Sequence, residues 1–307
     1  MAPLQYTYFS NGLPTFDPFH ESFASVYAGE TSRDFARIDE FLSERKIVPL
    51  ANARYGLQRE VVLRFTDGLP QNEADACALV DALVDLAQIW AVISMYRDHE
   101  KLPSELRTAF FSDPLPDGQR SSGKGRNTLT ELYASARFKA AGCSTRKAEP
   151  DFMCEFRGVE FGLAVKRFKI SNLEQHVRKA RRQIQGTGRG GVIVLDVSQS
   201  NPVLSKPFVG TVDAYRSEVG GWMDKHFFDP LKRNWKSWGL DQRYVPYVVC
   251  FNNGICFGDD GKIKQMSQMY NFVPGSSAAP SKRESVMIGT VHQAIEAVRA
   301  TLPEATP

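Results

Sequence analysis

The sequence predicts an α/β protein in which helices flank a mixed sheet, preceded by a mostly helical N-terminal portion. Three observations carry this expectation. Residues 127–199 read as helix, strand, turn, strand, helix, strand. The first 115 residues are dominated by helical periodicity. Continuous apolar runs such as Gly190-Gly191-Val-Ile-Val-Leu-Asp196 have the composition of strands covered on both faces. The stretch 112–126, rich in Pro, Gly and Ser, reads as a linker. It divides an accessory or interaction domain, 1–115, from a second domain, 116–307. At 307 residues the chain has room for both.

The elements follow in order. Residues 1–20 are aromatic and proline-bearing and are expected to lie against a later domain rather than to form an element of their own. Phe23 to Lys46 has helical spacing around Phe35, Ile38 and Phe41, with Thr31 or Ser32 as caps. Arg59 to Phe65 alternates as a strand does, and Asp67-Gly68-Leu69-Pro70 breaks it. Asn72 to Tyr96 is the longest helix, apolar nearly all round, which predicts burial on several sides. Gly118 to Gly125 approaches the phosphate-cradling GxxxxGK[ST] loop. Gly125, however, replaces the required hydroxyl and Pro-rich sequence precedes the stretch where a strand should, so it reads as a flexible basic loop. Thr128 is placed to cap a helix over 129–141, with Glu131 in its first turn and Gly142 just past its end.

A strand then opens at Asp151, Arg157-Gly158 makes a tight turn, and a second strand runs from Val159 to Ile170. Ser171 and Glu174 form a capping-box pattern for a helix ending at Gly186. Leu173, Val177, Ala180 and Ile184 make its apolar stripe, while His176, Arg178, Lys179, Arg182 and Gln183 lie opposite. Beyond Asp196, read as structural, come a helix from Thr211 to Asp224 and an aromatic, basic segment from Trp222 to Trp238. Its rings are expected to pack inward, a stacking surface for bases being the other use of such a segment. A hairpin around Asn253-Gly254 and a closing helix over Ser285–Leu302 complete the chain.

Composition narrows the function. Five cysteines without C-x-x-C spacing, five dispersed histidines and no leader at the N-terminus argue against a disulfide frame and a zinc site. No run approaches the ~18 apolar residues of a spanning helix. The expectation is a cytoplasmic protein with no membrane partner. The net charge of +3 is unevenly spread: residues 1–115 carry 10 Lys and Arg against 17 Asp and Glu, whereas residues 116–190 carry 16 against 7. A basic middle segment suits a phosphate backbone. The acidic first portion suits contacts with a partner protein or a second copy.

Within the basic segment, Pro150-Asp151 precedes Ala164-Val165-Lys166 by thirteen residues on a neighbouring strand, with Glu131 on the helix before and Gln183 on the helix after. This arrangement resembles the PD-(D/E)xK nuclease superfamily, whose restriction-endonuclease-like fold is a mixed sheet flanked by helices. The resemblance covers about a quarter of the chain. It implies a metal-dependent DNA endonuclease using Mg²⁺ or Mn²⁺, in a restriction or anti-phage setting by analogy. Residues 116–307 would then be the nuclease domain. Asp151 would be the central metal ligand, Glu131 a further ligand, Lys166 the group that orients or deprotonates water, and Gln183 a contact to the strand or to Lys166. Lys124, Arg126, Arg167, Lys169, Arg178, Lys179 and Arg182 would meet the nucleic acid. RNA in place of DNA stays open, because no residue reads a 2′-hydroxyl.

The departure is Ala164, which stands where the family has Glu or Asp. Strand alternation puts 164 and 166 on one face. Glu160 shares that parity but lies roughly 13 Å away along the strand, too far to substitute. Either a natural pseudonuclease has lost the carboxylate or the residue has been exchanged for alanine, and the otherwise complete motif favours the second. Cleavage by this sequence is expected to be weak or absent with binding retained. The alternative is a non-catalytic module of the same fold that binds nucleic acid or protein. Each residue also has a plain structural use: Glu131 in a capping box with Thr128, Asp151 in a turn, Lys166 on an edge strand, Gln183 in solvent.

Overall fold

The computed structural model describes residues 7–8, 14–15, 35–48, 53–65, 72–97, 104–111, 123–167, 170–198, 200–204, 207–258 and 263–301. Strands β1 (Thr7–Tyr8) and β2 (Pro14–Thr15) pair antiparallel, so the first twenty residues do form an element of their own, against expectation. Helix α1 spans 35–44 and buries Phe35, Ile38, Phe41 and Leu42 at helical spacing. The expected caps Thr31 and Ser32 lie outside the described residues.

Helix α2 (Arg54–Arg64) replaces the strand expected over Arg59–Phe65. The buried positions Arg54, Tyr55, Gln58 and Val62 recur every three to four residues. Glu60 and Arg64 pair one turn apart. The short Val61-Val62-Leu63 run fits either period, and the wider window decides it.

Helix α3 (Glu73–Tyr96) is the long apolar helix, capped by Asn72, whose side chain accepts the Asp75 N–H at 2.9 Å. Contrary to the expectation that no run is long and apolar enough to span, its segment Ala74–Tyr96 is so by length and composition, and 61% of its most apolar window is buried within the protein. Helix α4 (Ser104–Phe111) follows, with Leu106, Ala109 and Phe110 buried.

Helix α5 (Lys124–Ala140) begins four residues before Thr128, so Thr128 lies inside it rather than capping it and Glu131 falls in the second turn. Lys124 and Gly125 are helical, and 118–122 of the P-loop-like stretch lie outside the described residues. Gly142 closes α5 as expected: at φ 89° it turns the chain so that its N–H and that of Cys143 reach the Lys139 and Phe138 carbonyls, each at 3.0 Å.

Strand β3 (Ser144–Ala148), not expected, precedes β4 (Asp151–Phe156) and β5 (Val159–Arg167), the last two joined by Arg157 and Gly158 at φ 50° and 79°. One 3₁₀ turn, Ile170–Asn172, leads into α6 (Leu173–Gly186), whose apolar stripe is buried as expected. The expected Ser171–Glu174 capping box does not form. Asn172 precedes the helix without a side-chain cap, and Glu174 instead accepts from Arg178 one turn on, at 2.7 Å.

Then come β6 (Gly191–Asp196), buried throughout, β7 (Phe208–Gly210), α7 (Val212–Met223), a π-helical turn over Asp224–Phe228 and α8 (Asp229–Asn234). Phe227, Leu231 and Trp238 are buried, in line with inward packing, while Lys232, Arg233 and Lys236 stay exposed. Strand β8 (Tyr247–Gly258) runs straight through Asn253-Gly254, so no hairpin turns there; it pairs with the next strand, β9 (Ile263–Phe272). Gly254 is explained by packing. A Cβ on it would collide with the Tyr215 hydroxyl and lie 2.9 Å from Leu204 Cδ2. Helix α9 (Lys282–Ala300) closes the described chain, with Ser281 and Glu284 forming a complete capping box.

The seven-stranded mixed sheet has the order β3-β4-β5-β6-β8-β7, with β9 on β8. The first two pairings are antiparallel, and β5–β6, β6–β8 and β7–β8 are parallel. The chain forms two compact units, each made of three segments. One comprises Met1–Leu129, Pro202–Glu218 and Asn253–Met266, and the other Thr130–Asn201, Val219–Asn252 and Ser267–Pro307. The boundary expected from composition cuts the chain once, after residue 115. In the first unit Val80 and Val84 of α3 pack on Ile255 and Phe257. In the second, Phe138 and Tyr133 of α5 meet Phe161 and Phe251 edge-on. Asp196 ends β6 structurally, accepting from Ser198 N–H at 3.0 Å, Ser198 Oγ at 2.6 Å and Thr130 Oγ1 at 3.1 Å.

Candidate functional site

The ladder between β4 and β5 ends at Phe152 and Leu163. Two residues further along β5 the Val165 N–H points toward β4 with no ladder partner, and the carboxylate of Asp151 takes that place: Oδ2 accepts the Val165 N–H at 2.7 Å. The same oxygen accepts Lys166 Nζ at 2.8 Å, and Nζ also donates to the Val165 carbonyl at 2.9 Å. The two side chains are only 14% and 13% exposed. A largely desolvated ion pair thus stands where β4 gives out, and the structure brings together the two residues expected at its centre.

Ala164 is fully buried, with the parity of Lys166. Gln183, on α6, donates from Nε2 to the Pro150 carbonyl at 3.3 Å, next to Asp151, while its buried Oε1 has no partner among the described residues. His176 stands two turns before Gln183 on the same side of α6. Burial, with Lys166 and then Lys179 nearby, holds its imidazole below the ordinary histidine value, so it is neutral at pH 7.

Glu131 is not brought to this pair. Its Oε2 accepts Lys147 Nζ at 2.6 Å, and Lys147 lies over the Phe152 ring. Lys147 pairs with Phe152 and Phe152 with Leu163, so this cluster occupies the sheet face opposite Ala164 and Lys166. Glu160 is likewise engaged, by Arg146 at 3.2 Å and by Arg189.

Among the described residues no group of three His, Cys, Asp or Glu could hold a metal ion. The donor set agrees: one carboxylate already matched by a lysine, and a methyl group where a second carboxylate would stand. The residues present do not fit Mg²⁺ or Mn²⁺.

The basic residues expected to meet nucleic acid divide into several groups. Arg178, Lys179 and Arg182 line the outer side of α6, Arg178 sharing its charge with Glu174. Lys124 is exposed at the start of α5, and Arg167 is half-buried at the end of β5. Lys169 lies outside the described residues. Arg126 is a correction: it is 5% exposed and pairs with Asp81 of α3, beside the buried pair of Arg54 with Asp85. Two aspartates on an apolar helix need counter-charges, and Arg126 is one of them.

The sequence reading missed Arg146, Arg189, Lys282 and Arg283. Arg146, Arg182 and Arg189 line a cleft of about 500 Å³ with Gln183. Arg189, Lys282 and Arg283 line another of about 570 Å³ with Glu160. The Arg146-Lys147 pair was the available signal, but it falls on the strand that went unread. No protein-family model, no curated protein and no solved structure matches the chain.

Proposed function

We propose that the chain is a nucleic-acid-binding protein built around a phosphodiesterase-type Asp151–Lys166 pair, on the plan of the PD-(D/E)xK nucleases, and that with Ala164 it binds without cutting. The supporting observation is the convergence of Asp151 and Lys166 at 2.8 Å where β4 ends, with residue 164 on the lysine's face. Lys166 holds a positive charge in a largely dry setting, oriented by Asp151 and by the Val165 carbonyl. A phosphate oxygen approaching there meets an ammonium whose geometry is already fixed. The exposed cations of α6 extend the attraction sideways. DNA is the proposed ligand, with the N-terminal portion serving partner contacts or self-association. Restriction or anti-phage defence in the cytoplasm is the setting that the analogy suggests.

The test compares the protein with Ala164→Glu on plasmid, linear duplex, single strands and RNA, with and without Mg²⁺ or Mn²⁺. The expected outcome is salt-sensitive binding without cleavage by the unaltered chain, and metal-dependent cleavage by the variant. A second readout is stability. A carboxylate placed at a fully buried position lowers the melting temperature, and divalent ions restore it in the variant only. No nucleic-acid binding by either protein, together with no metal response of the variant, overturns the reading.

A further inference from the structure

The loop between α6 and β6 is short and held. Gly188 and Gly190 take φ values of 66° and 77° on either side of Arg189. The Gly190 carbonyl accepts the Gly162 N–H at 2.9 Å, and the Gly191 N–H donates to the Tyr244 carbonyl at 2.8 Å. A Cβ on Gly190 would stand 3.2 Å from that Tyr244 oxygen. The root of Arg189 is therefore fixed, and its side chain stands between the two basic clefts, lining both. At their junction one carboxylate, Glu160, is shared by two guanidinium groups from separate elements, Arg146 of β3 and Arg189 of the loop.

Two arginines converging on one anion is the arrangement that recognises a phosphate. Gln183 lines the first cleft as well, and its buried Oε1 is an acceptor with no donor among the described residues. Leaving an acceptor unsatisfied is costly unless a donor arrives with a ligand. Nucleotides offer both halves: phosphate oxygens for the arginines and sugar or base O–H and N–H groups for the glutamine.

We propose that the two clefts form one track for a phosphodiester backbone, with Arg189 shared between neighbouring phosphates and Glu160 occupying, in the free protein, the place that a phosphate takes. Glu160 then acts as a built-in competitor. It keeps Arg146 and Arg189 ordered and screens them from weak anions, and a polyanion displaces it by supplying more charge. The track passes the Pro150 carbonyl held by Gln183, and so leads to Asp151. This inference rests on the nucleic-acid reading above and specifies its binding surface.

The test uses two probes on the full chain, inorganic pyrophosphate and short single- and double-stranded oligonucleotides, titrated over a range of salt. Glu160→Gln is expected to bind both probes roughly threefold to tenfold more tightly. Arg189→Ala is expected to bind about tenfold more weakly, with a salt slope shallower by about one. Arg146→Ala should fall between the two. Pyrophosphate affinity unmoved by Glu160→Gln and by Arg189→Ala overturns the track. Pyrophosphate binding that follows the substitutions while no oligonucleotide binds keeps the anion clefts and sinks the nucleic-acid reading.

Discussion

Asp151 does two jobs with one oxygen, accepting a main-chain N–H that the sheet leaves without a partner and the ammonium of Lys166. Removing the acid strands the Val165 N–H and leaves the Lys166 ammonium without its counter-charge, whereas removing the base takes one donor each from Asp151 and the Val165 carbonyl and leaves the Val165 N–H still bonded to Asp151. Asp151→Ala should cost about 3 kcal/mol and Lys166→Met about 1 kcal/mol, read from urea midpoints at neutral pH. Equal losses would show that the Val165 N–H gains nothing from Asp151. Both residues were legible in the sequence because the order Pro-Asp, strand, Lys on the next strand fixes which strand ends meet. Glu131 was misplaced for a physical reason. Its helix starts five residues early, and the strand carrying Lys147, which claims its carboxylate, has too mixed a composition to announce itself.

Between residue and fold, glycine sets how closely elements approach. Gly162 and Gly191 face each other across β5 and β6, and a Cβ on Gly191 would sit on the Gly162 carbonyl. Backbone cannot yield there as a flexible side chain can, so Gly191→Ala should destabilise by about 3 kcal/mol or more. Gly158→Ala meets nothing within 4 Å and costs only its left-handed conformation, about 1 kcal/mol. Chemical denaturation of the two variants ranks them, and the reverse order refutes the crowding argument. Asp241 is a second device at this scale. It accepts from the Arg243 backbone and guanidinium, from Ser276 and from Ser277, tying the 275–277 loop to the segment before β8. The Arg243 bonds first, then those of Ser277, hold its carboxyl well below the usual range. Because the folded value is depressed, this stabilisation is complete above the unfolded value near pH 4 and fades as pH falls toward the folded one. Asp241→Asn should lower the urea midpoint at pH 7 and flatten its decline below about pH 4. An unchanged acid profile would assign that decline to other groups. The same scale explains the two misread elements. Asn253-Gly254 has the chemistry of a turn, yet Gly254 is there to admit Tyr215, and Val61 to Leu63 were too few to reveal a helical period.

For the whole molecule, the α/β class, the long α3 and the buried β6 followed from periodicity alone, because those runs are long or uniform. The division of the chain did not. Composition marks a linker after residue 111, but compactness depends on contacts distant in sequence, and those place 202–218 and 253–266 with the first 129 residues. A fragment of residues 1–129 lacks Ile255 and Phe257 and leaves Val80 and Val84 without their cover. It should melt over a broad range and bind a hydrophobic dye, whereas the full chain melts cooperatively. A sharp transition for the fragment would show that it is a domain by itself.

The chain passes between the two units five times. Recombination with a related protein at any one point between residues 130 and 266 would therefore join halves of two different cores rather than swap one complete module. Functional hybrids require paired crossovers that carry whole sets of segments together. The interleaving predicts that such a chain is inherited as a block, with its basic clefts and its aspartate–lysine pair travelling together.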